Sequence, residues 1–459
     1  MLSLGPKPLV LSTGAETICQ GLQEHGYQAY IVGGAVRDGL RGLIPEDWDI
    51  TTDATPDEVE AVFPRTYPTG KEFGTISVGI GDELLEVTTM RQDGAYSDQR
   101  RPDLVIYTKD IREDLQRRDF TINAIAFEPK SGQYLDPFGG LKDVRRKRLR
   151  TVGPAVHRFY EDPLRMLRLL RFMAVLEFKP VKEALDAVNP DQIRTVSRER
   201  IRDELTKLLL APRPTVALET MYQLGVMAEL LPELAACAGV RQGSMHHWDV
   251  LGHSIRTAEA IKPELHLRLA ALFHDVAKPL TFTEGADHPH FYEHDVQGAE
   301  IVRQRLLELR FSRRMTERVA HLVRWHMFPV HPQSTDRALR RFAAKVGRKS
   351  VFELLELRRA DIMASRFQPR QALEYGKRLA SRLDEVLAPD TALTTEHLAI
   401  NGDDILQALD IKPGPLVGDI LTYLLQQVLE DPQKNTRAAL LDLAHHYYAK
   451  QSPNNEDKA

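Results

Sequence analysis

Asp47 and Asp49 stand one residue apart, shortly after the pair Gly33-Gly34 and the dyad Arg37-Asp38. Paired glycines let backbone N–H groups approach a phosphate closely, and a helix opening behind them adds a favourable dipole. Two carboxylates at alternate strand positions face the same way and can grip one or two hard cations. A phosphate cradle followed by paired carboxylates is what metal-assisted nucleotidyl transfer needs. A second stretch, DLQRRDFTINAIAF from Asp114 to Phe127, gathers Arg117, Arg118, Asp119 and Asn123. Guanidinium groups match phosphate oxygens, and Asp and Asn side chains can hold ribose hydroxyls. A third, FYEDPLRMLRLLRFMAVL from Phe159, carries Asp162, Arg165, Arg168 and Arg171. Read as one helix, it puts Asp162 and Arg165 on one side and Arg168 a step round. Arg171 then falls on the far side, so the four are not expected to line one wall.

The elements that must position these residues can be read around them. Residues 14–28 pattern as an amphipathic helix leading into the strand Tyr30-Ile31-Val32, with the glycine turn and the helix of Arg37 behind it. A returning strand is expected to hold both Asp47 and Asp49. Pro56–Val62 reads as a helix capped by Thr55. Gly74–Ile80 and Leu84–Met90 alternate around Gly81-Asp82, a hairpin pattern. Glu86 in its second strand is either a third carboxylate beside the aspartates or a solvent-facing strand residue. The polar stretch 91–104 reads as a mobile, arginine-rich loop able to handle substrate. Arg117 to Asn123 are expected at the start of an apolar helix. Asp136-Pro-Phe-Gly-Gly140 with Asp143 reads as a joint between domains. Ser197 is expected to cap another helix, a boundary falls near Pro212-Arg213-Pro214, and a helical break is expected at Ile411–Pro415.

The whole chain sets bounds on these readings. Its 459 residues exceed a single core and suggest about three domains or more. No apolar run is long enough for a membrane span, and the N-terminus has no signal-peptide pattern. Two distant cysteines, Cys19 and Cys237, argue for a reducing compartment, here the cytoplasm, and against a disulfide framework. The net charge of −4 hides basic segments at Arg145–Arg148 and Arg198–Arg202, so local patches must decide on a nucleic-acid partner. The oligomeric state is left open.

Taken together, G-G-x-x-R-D with D-x-D, R-R-D-x-x-x-N, D-P-x-G-G, E-D-x-x-R (Glu161 to Arg165) and S-x-E-R-I (Ser197 to Ile201) resemble the class II tRNA nucleotidyltransferases. This family builds or repairs the 3′-terminal CCA of tRNA. The resemblance implies an α+β head of polymerase-β type (14–150), then an all-helical neck (151–215), body (216–378) and tRNA-binding tail (379–450). It implies that Asp47 and Asp49 bind Mg²⁺, that Gly34, Arg37 and Arg118 hold the triphosphate of CTP or ATP, and that Asp162 and Arg165 read the base. Arg168 and Arg171 match further nucleotide-binding arginines of the family. Addition of the terminal A alone, or of the two Cs alone, remains open.

In the second half, the order His253, His274-Asp275, His294, His326, Asp361 resembles the HD-domain phosphohydrolases. There, His253, His274, Asp275 and Asp361 match the minimal ligand set, and His294 and His326 the extra pair of dinuclear members. The resemblance implies a transition metal such as Ni²⁺, Mn²⁺ or Zn²⁺ and a phosphohydrolase or 2′,3′-cyclic phosphodiesterase activity. The alternative is a body that keeps the fold only to bind tRNA.

Overall fold

The structure, a computed structural model, describes residues 7–93, 105–242, 247–285, 289–365, 370–388 and 391–451. The expected loop beyond Asp93 and the chain end after Gln451 lie outside the described residues. The chain packs as two units, Met1–Pro232 and Glu233–Ala459.

The first unit opens with helix α1 (Thr13–Glu24), capped by the Ser12 side chain. Its buried Ala15, Ile18, Cys19 and Leu22 recur at helical spacing, the pattern of one core-facing stripe. Then follow β1 (Ala29–Val32), α2 (Gly34–Leu40), β2 (Asp49–Thr52) and α3 (Pro56–Val62), whose Thr55–Glu58 capping box is complete. Strands β3 (Thr66–Gly70), β4 (Thr75–Ile80) and β5 (Glu83–Thr89) come next, the last two turning at Gly81-Asp82 as the alternation predicts. A small pair, β6 (Arg91–Asp93) and β7 (Val105–Tyr107), precedes α4 (Ile111–Gln116), β8 (Ala126–Glu128), β9 (Gln133–Leu135) and α5 (Gly140–Arg145).

Seven strands form one mixed sheet in the order β3-β4-β5-β2-β1-β8-β9. Within this sheet, among the described residues, β2 and β5 alone pair in parallel, and this pairing sets Asp49 directly opposite Glu86. Helices α6 (Ala155–Glu161), α7 (Leu164–Leu176), α8 (Lys182–Asp186) and α9 (Arg198–Leu209) follow.

Three local expectations are corrected. Asp47 lies in a bend before β2, not in the strand. Arg117 to Asn123 do not form a regular α-helix: α4 stops at Gln116, and the Asp119 carboxylate accepts from the Phe120 N–H (2.7 Å) and from Asn123 Nδ2 (3.0 Å). Such local side-chain bonds compete with the helical ladder. The stretch from Phe159 is two helices, because Pro163 pushes Asp162 into extended geometry, φ −143° and ψ 100°.

The second unit is almost wholly helical. Helices Val250–Ala260, Leu265–Phe273, His294–Glu308, Arg313–Trp325 and Arg348–Ala364 carry the histidines and aspartates singled out above or begin and end beside them. Toward the C-terminus, Gly402–Leu409, Pro415–Glu430 and Arg437–Gln451 pack around Ile405, Ile420, Leu424 and Leu440, with the expected break before Pro415. Among the described residues no helix is long and apolar enough to cross a membrane.

Candidate active site

In the first unit a cavity of about 530 Å³ is lined by Gly33, Gly34, Arg37, Asp47, Asp49, Arg118, Asp119, Asn123, Asp162, Arg165, Arg168 and Arg171, and also by Phe172, Arg200 and Lys207. Glycine is required at the first of these. Gly33 has φ +71°, and a Cβ there would sit 2.8 Å from Asp49 Oδ2 and 3.2 Å from an Arg118 nitrogen. The turn thus lets the backbone pass between a carboxylate and a guanidinium. Asp49 opens to the cavity on one side while protein crowds it on the sheet side. Burial, reinforced by Asp47, holds its carboxyl above the ordinary range despite Arg118 and Arg37. Burial, then Asp49 and Asp47, raise Glu86 in the same way. The Asp49 and Glu86 carboxyls, with Asp47 beside them, supply oxygen donors of the kind a divalent cation takes.

Behind them runs a chain of buried charge. Arg37 donates to Asn123 Oδ1 (2.8 Å), Asn123 donates to Asp119 Oδ1, and Arg168 donates to Asp119 Oδ2 (2.7 Å). Arg168 and Arg171 both meet the buried Glu204, at 3.6 and 2.5 Å. Asp119 and Asn123 therefore act as a brace between the glycine turn and α7, with polar atoms that the sequence reading assigned to ribose already engaged. Arg171 reaches the cavity after all. Asp162 is outside α7, so only about 120° separates Arg165 from Arg171, and Glu204 draws the guanidinium across. Phe172 is the hub of this wall, with Arg171 4.1 Å from its ring centre and Phe120 packed edge-on against it at 5.6 Å. Arg117 does not line the cavity; it pairs with the fully buried Asp114, which also faces Arg118.

Burial alone would raise Asp119, but Arg168, Asn123 and the Phe120 amide hold its carboxyl at about 2. A carboxyl depressed on folding stabilises above its ordinary pKa and loses that contribution as pH falls toward 2. Asp119→Asn is accordingly expected to cost about 2 kcal/mol at neutral pH, a cost that fades as pH falls through about 2. Chemical denaturation at a series of acid pH values checks this; parallel stability curves for the two proteins would refute it.

Asp162 and Arg165 are anchored separately. Asp162 accepts from Arg200 (2.8 Å) and the Leu164 amide (3.1 Å), while Arg165 pairs with Glu161 (2.7 Å) and donates to the Arg158 and Arg117 carbonyls. Arg200, Glu204 and Lys207 share one face of α9. Sequence reasoning gave them no role, because their partners lie on another helix; Ser197 stands at the N-cap position of α9 as expected, but its side chain makes no capping bond.

The second unit brings all six of its expected ligands into two groups. His253, His274 and Asp361 offer ligand atoms within 4.8 Å of one another, as do Asp275, His294 and His326. His274, His294 and His326 each direct Nδ1 at the carbonyl three residues earlier (2.8, 2.7 and 2.7 Å). That bond orients each ring and turns Nε2 toward the cluster, the usual arrangement behind a metal-ligating imidazole. His294 and His326 then face each other, Nε2 to Nε2, at 3.1 Å. Two lone pairs so close call for a proton or a cation. Burial, with His274 alongside, pushes His326 down to about 3, so it is neutral at physiological pH. Asp275 lies well below the carboxylate range: burial opposes its charge, but His274 and Lys278 more than offset this. The donor set fits one or two transition metals.

Three family profiles match the chain: the poly(A) polymerase head domain over residues 29–150, the RNA- and SrmB-binding site of polymerase A over 179–237, and tRNA nucleotidyltransferase domain 2 over 294–444. A CCA-adding enzyme of Bacillus licheniformis is 47% identical over 211 residues, 46% of this chain and 53% of that protein. One of Staphylococcus aureus is 49% identical over 197 residues, 42% and 49% of the two chains. The chain spans about half the length of the curated relatives it matches. The crystal structure of the Bacillus stearothermophilus CCA-adding enzyme in complex with CTP superposes over 97% of this chain and 100% of its own, with TM-score 0.74 and 27% identity. The chain belongs to the tRNA nucleotidyltransferase family. The Thermotoga maritima CCA-adding enzyme complexed with tRNA shares the fold, covering 95% of this chain and 96% of its own at TM-score 0.53 and 19% identity. The mixed sheet is thus the family's polymerase-β-type head, followed by a largely helical remainder. The head profile contains the span from Gly33 to Asn123, and the RNA-binding profile contains Arg200, Glu204 and Lys207. The stretch Asp162–Phe172 falls between these two. Of the second-unit ligands, His294, His326 and Asp361 lie inside the third profile.

Proposed function

We propose that the protein adds CMP and AMP, from CTP and ATP, to the 3′ end of tRNA without a nucleic-acid template, building or repairing the CCA terminus in the cytoplasm. One observation carries this reading: a single cavity joins the acidic edge, the cationic wall and two separately anchored side chains, Asp162 and Arg165, one an acceptor and one a donor. Asp47 and Asp49, with Glu86 beside Asp49, would hold Mg²⁺, which supplies charge neutralisation at the transferring phosphoryl group. The Gly33-Gly34 turn, Arg37 and Arg118 orient the triphosphate, and the brace of Asn123, Asp119 and Glu204 holds Arg168 and Arg171 in place. Cytosine and adenine each present an exocyclic amine donor beside a ring-nitrogen acceptor. Asp162 can accept from the amine while Arg165 donates to the ring nitrogen. Uracil and guanine reverse that order and leave buried polar groups unpaired. The variants of this reading that add only A, or only the two Cs, use the same cavity.

Asp162→Ala is expected to relax the choice of CTP and ATP over UTP and GTP, raising misincorporation roughly ten- to a hundredfold, since a bidentate base contact is worth about 1–3 kcal/mol. Competition among the four nucleoside triphosphates, scored on the extended RNA, tests this. Unchanged selectivity would assign base reading to another pair.

A second reading concerns the histidine cluster, on the evidence of three anchored imidazoles and one opposed Nε2 pair. It holds Ni²⁺, Mn²⁺ or Zn²⁺ there and hydrolyses phosphate esters, including a 2′,3′-cyclic phosphate that would block a tRNA end. His253, His274 and Asp361, with Asp275, His294 and His326, would hold that metal, which would supply a water of lowered pKa.

A further inference from the structure

Within the second unit, a groove of about 760 Å³ lies between the end of helix Arg313–Trp325 and helix Asp336–Val346. Its walls are of two kinds. Trp325, Pro329, Val330 and Phe342 supply apolar and aromatic surface, and Arg337, Arg341 and Lys345 form the rim. The three cations recur every fourth residue along one exposed stripe of the helix, spaced about 6 Å apart along its axis. Glu430 pairs with Arg341 at 2.7 Å and meets Arg337 at 3.6 Å, so one negative charge stands against three positive ones. Trp325 is half-buried, with the Lys345 ammonium 4.6 Å from its ring centre.

We infer that this groove is an RNA-docking surface, on which an unpaired base stacks against Trp325 while its flanking phosphates meet Arg337, Arg341 and Lys345. The partner's identity as tRNA rests on the proposed function; the surface itself rests on the groove. A row of cations beside an aromatic platform is the equipment of single-strand binding, in which stacking tolerates any base and charge tracks the backbone. An acidic polypeptide could use the cations but would gain little from the indole face. An exposed cation–π contact is weaker than a base–aromatic stack, so an incoming base displaces Lys345 from Trp325 and frees its ammonium for a phosphate.

The test uses the full-length protein and a tRNA transcript lacking CCA, with dissociation constants measured across a salt series. The solvent-exposed triple substitution R337S/R341S/K345S is expected to reduce the slope of log Kd against log salt by about 2 to 3, the value for three released phosphate contacts. Trp325→Ala is expected to weaken binding roughly ten- to a hundredfold, and Trp325→Phe to keep most of the affinity. CTP KM and kcat at saturating tRNA should match wild type in every variant. A wild-type protein that extends tRNA normally, with groove variants equal to it in Kd and salt slope, overturns the inference and leaves the proposed function standing. A wild-type protein that extends no tRNA overturns the proposed function first.

Discussion

Asp49→Asn is expected to lower CMP incorporation into a tRNA lacking its 3′ end by roughly a thousandfold or more, while the protein remains at least as stable as wild type. The catalytic loss follows from removing a ligand whose ion contributes several kcal/mol of charge stabilisation, each 1.4 kcal/mol being a factor of ten. The stability follows from the sign of the carboxyl's shift. Burial and Asp47 hold Asp49 above its ordinary pKa, so its ionised form opposes folding at neutral pH, though weakly because the side chain also opens to solvent. An isosteric amide removes that cost. Asp47→Asn should show the same loss of incorporation, with tRNA binding unchanged for both. Single-turnover incorporation at saturating Mg²⁺, set beside a thermal melt, separates the two effects. Near-normal incorporation would remove these aspartates from catalysis, and a lowered melting temperature would make them structural.

The second large effect concerns the other unit. His274→Ala combined with Asp275→Ala is expected to abolish hydrolysis of phosphate esters and 2′,3′-cyclic phosphates while leaving nucleotide addition intact. The two residues sit one in each ligand group, with His274 Nε2 3.1 Å from Asp275 Oδ2, so the double substitution opens both. A structural role alone would be expected to show in the melt. His294→Gln, which keeps a polar side chain at the cluster, provides a milder variant should the double one fail to fold. Purified wild-type protein should carry a transition metal, or gain hydrolytic activity on adding Ni²⁺ or Mn²⁺. Absence of both would leave the cluster a structural core of the helical unit.

Much of the head was legible because its signals are local. Thr55 as the cap of Pro56–Val62, and Gly81-Asp82 between alternating strands, are encoded within a few residues, and both form as read. Errors arose where one side chain reorganised its neighbours. Pro163 detached Asp162 from the helix that periodicity had assigned to it, which altered the phase of Arg171. Asp119 recruited the Phe120 amide and the Asn123 side chain, ending a helix that composition alone would continue. The missing parts were long-range. Glu204 matters because it meets Arg168 and Arg171 across α7 and α9, and no spacing in the sequence announces that pairing. Glu86 was undecided for the same reason until strand pairing set it opposite Asp49. In the second unit, residue order was enough to name six side chains that the fold gathers, but not their division into two groups.

The central claim is that one protein-built cavity selects CTP and then ATP for a tRNA end. The most direct measurement offers three transcripts, one lacking the CCA end, one carrying its first C and one carrying both Cs. Each is incubated with each nucleoside triphosphate singly and with CTP plus ATP together, and the products are sequenced. The expected result is addition of C to the first two, of A to the third, and a completed CCA from all three with both nucleotides. Extension with UTP or GTP at comparable rates, or no extension of any transcript, would contradict it.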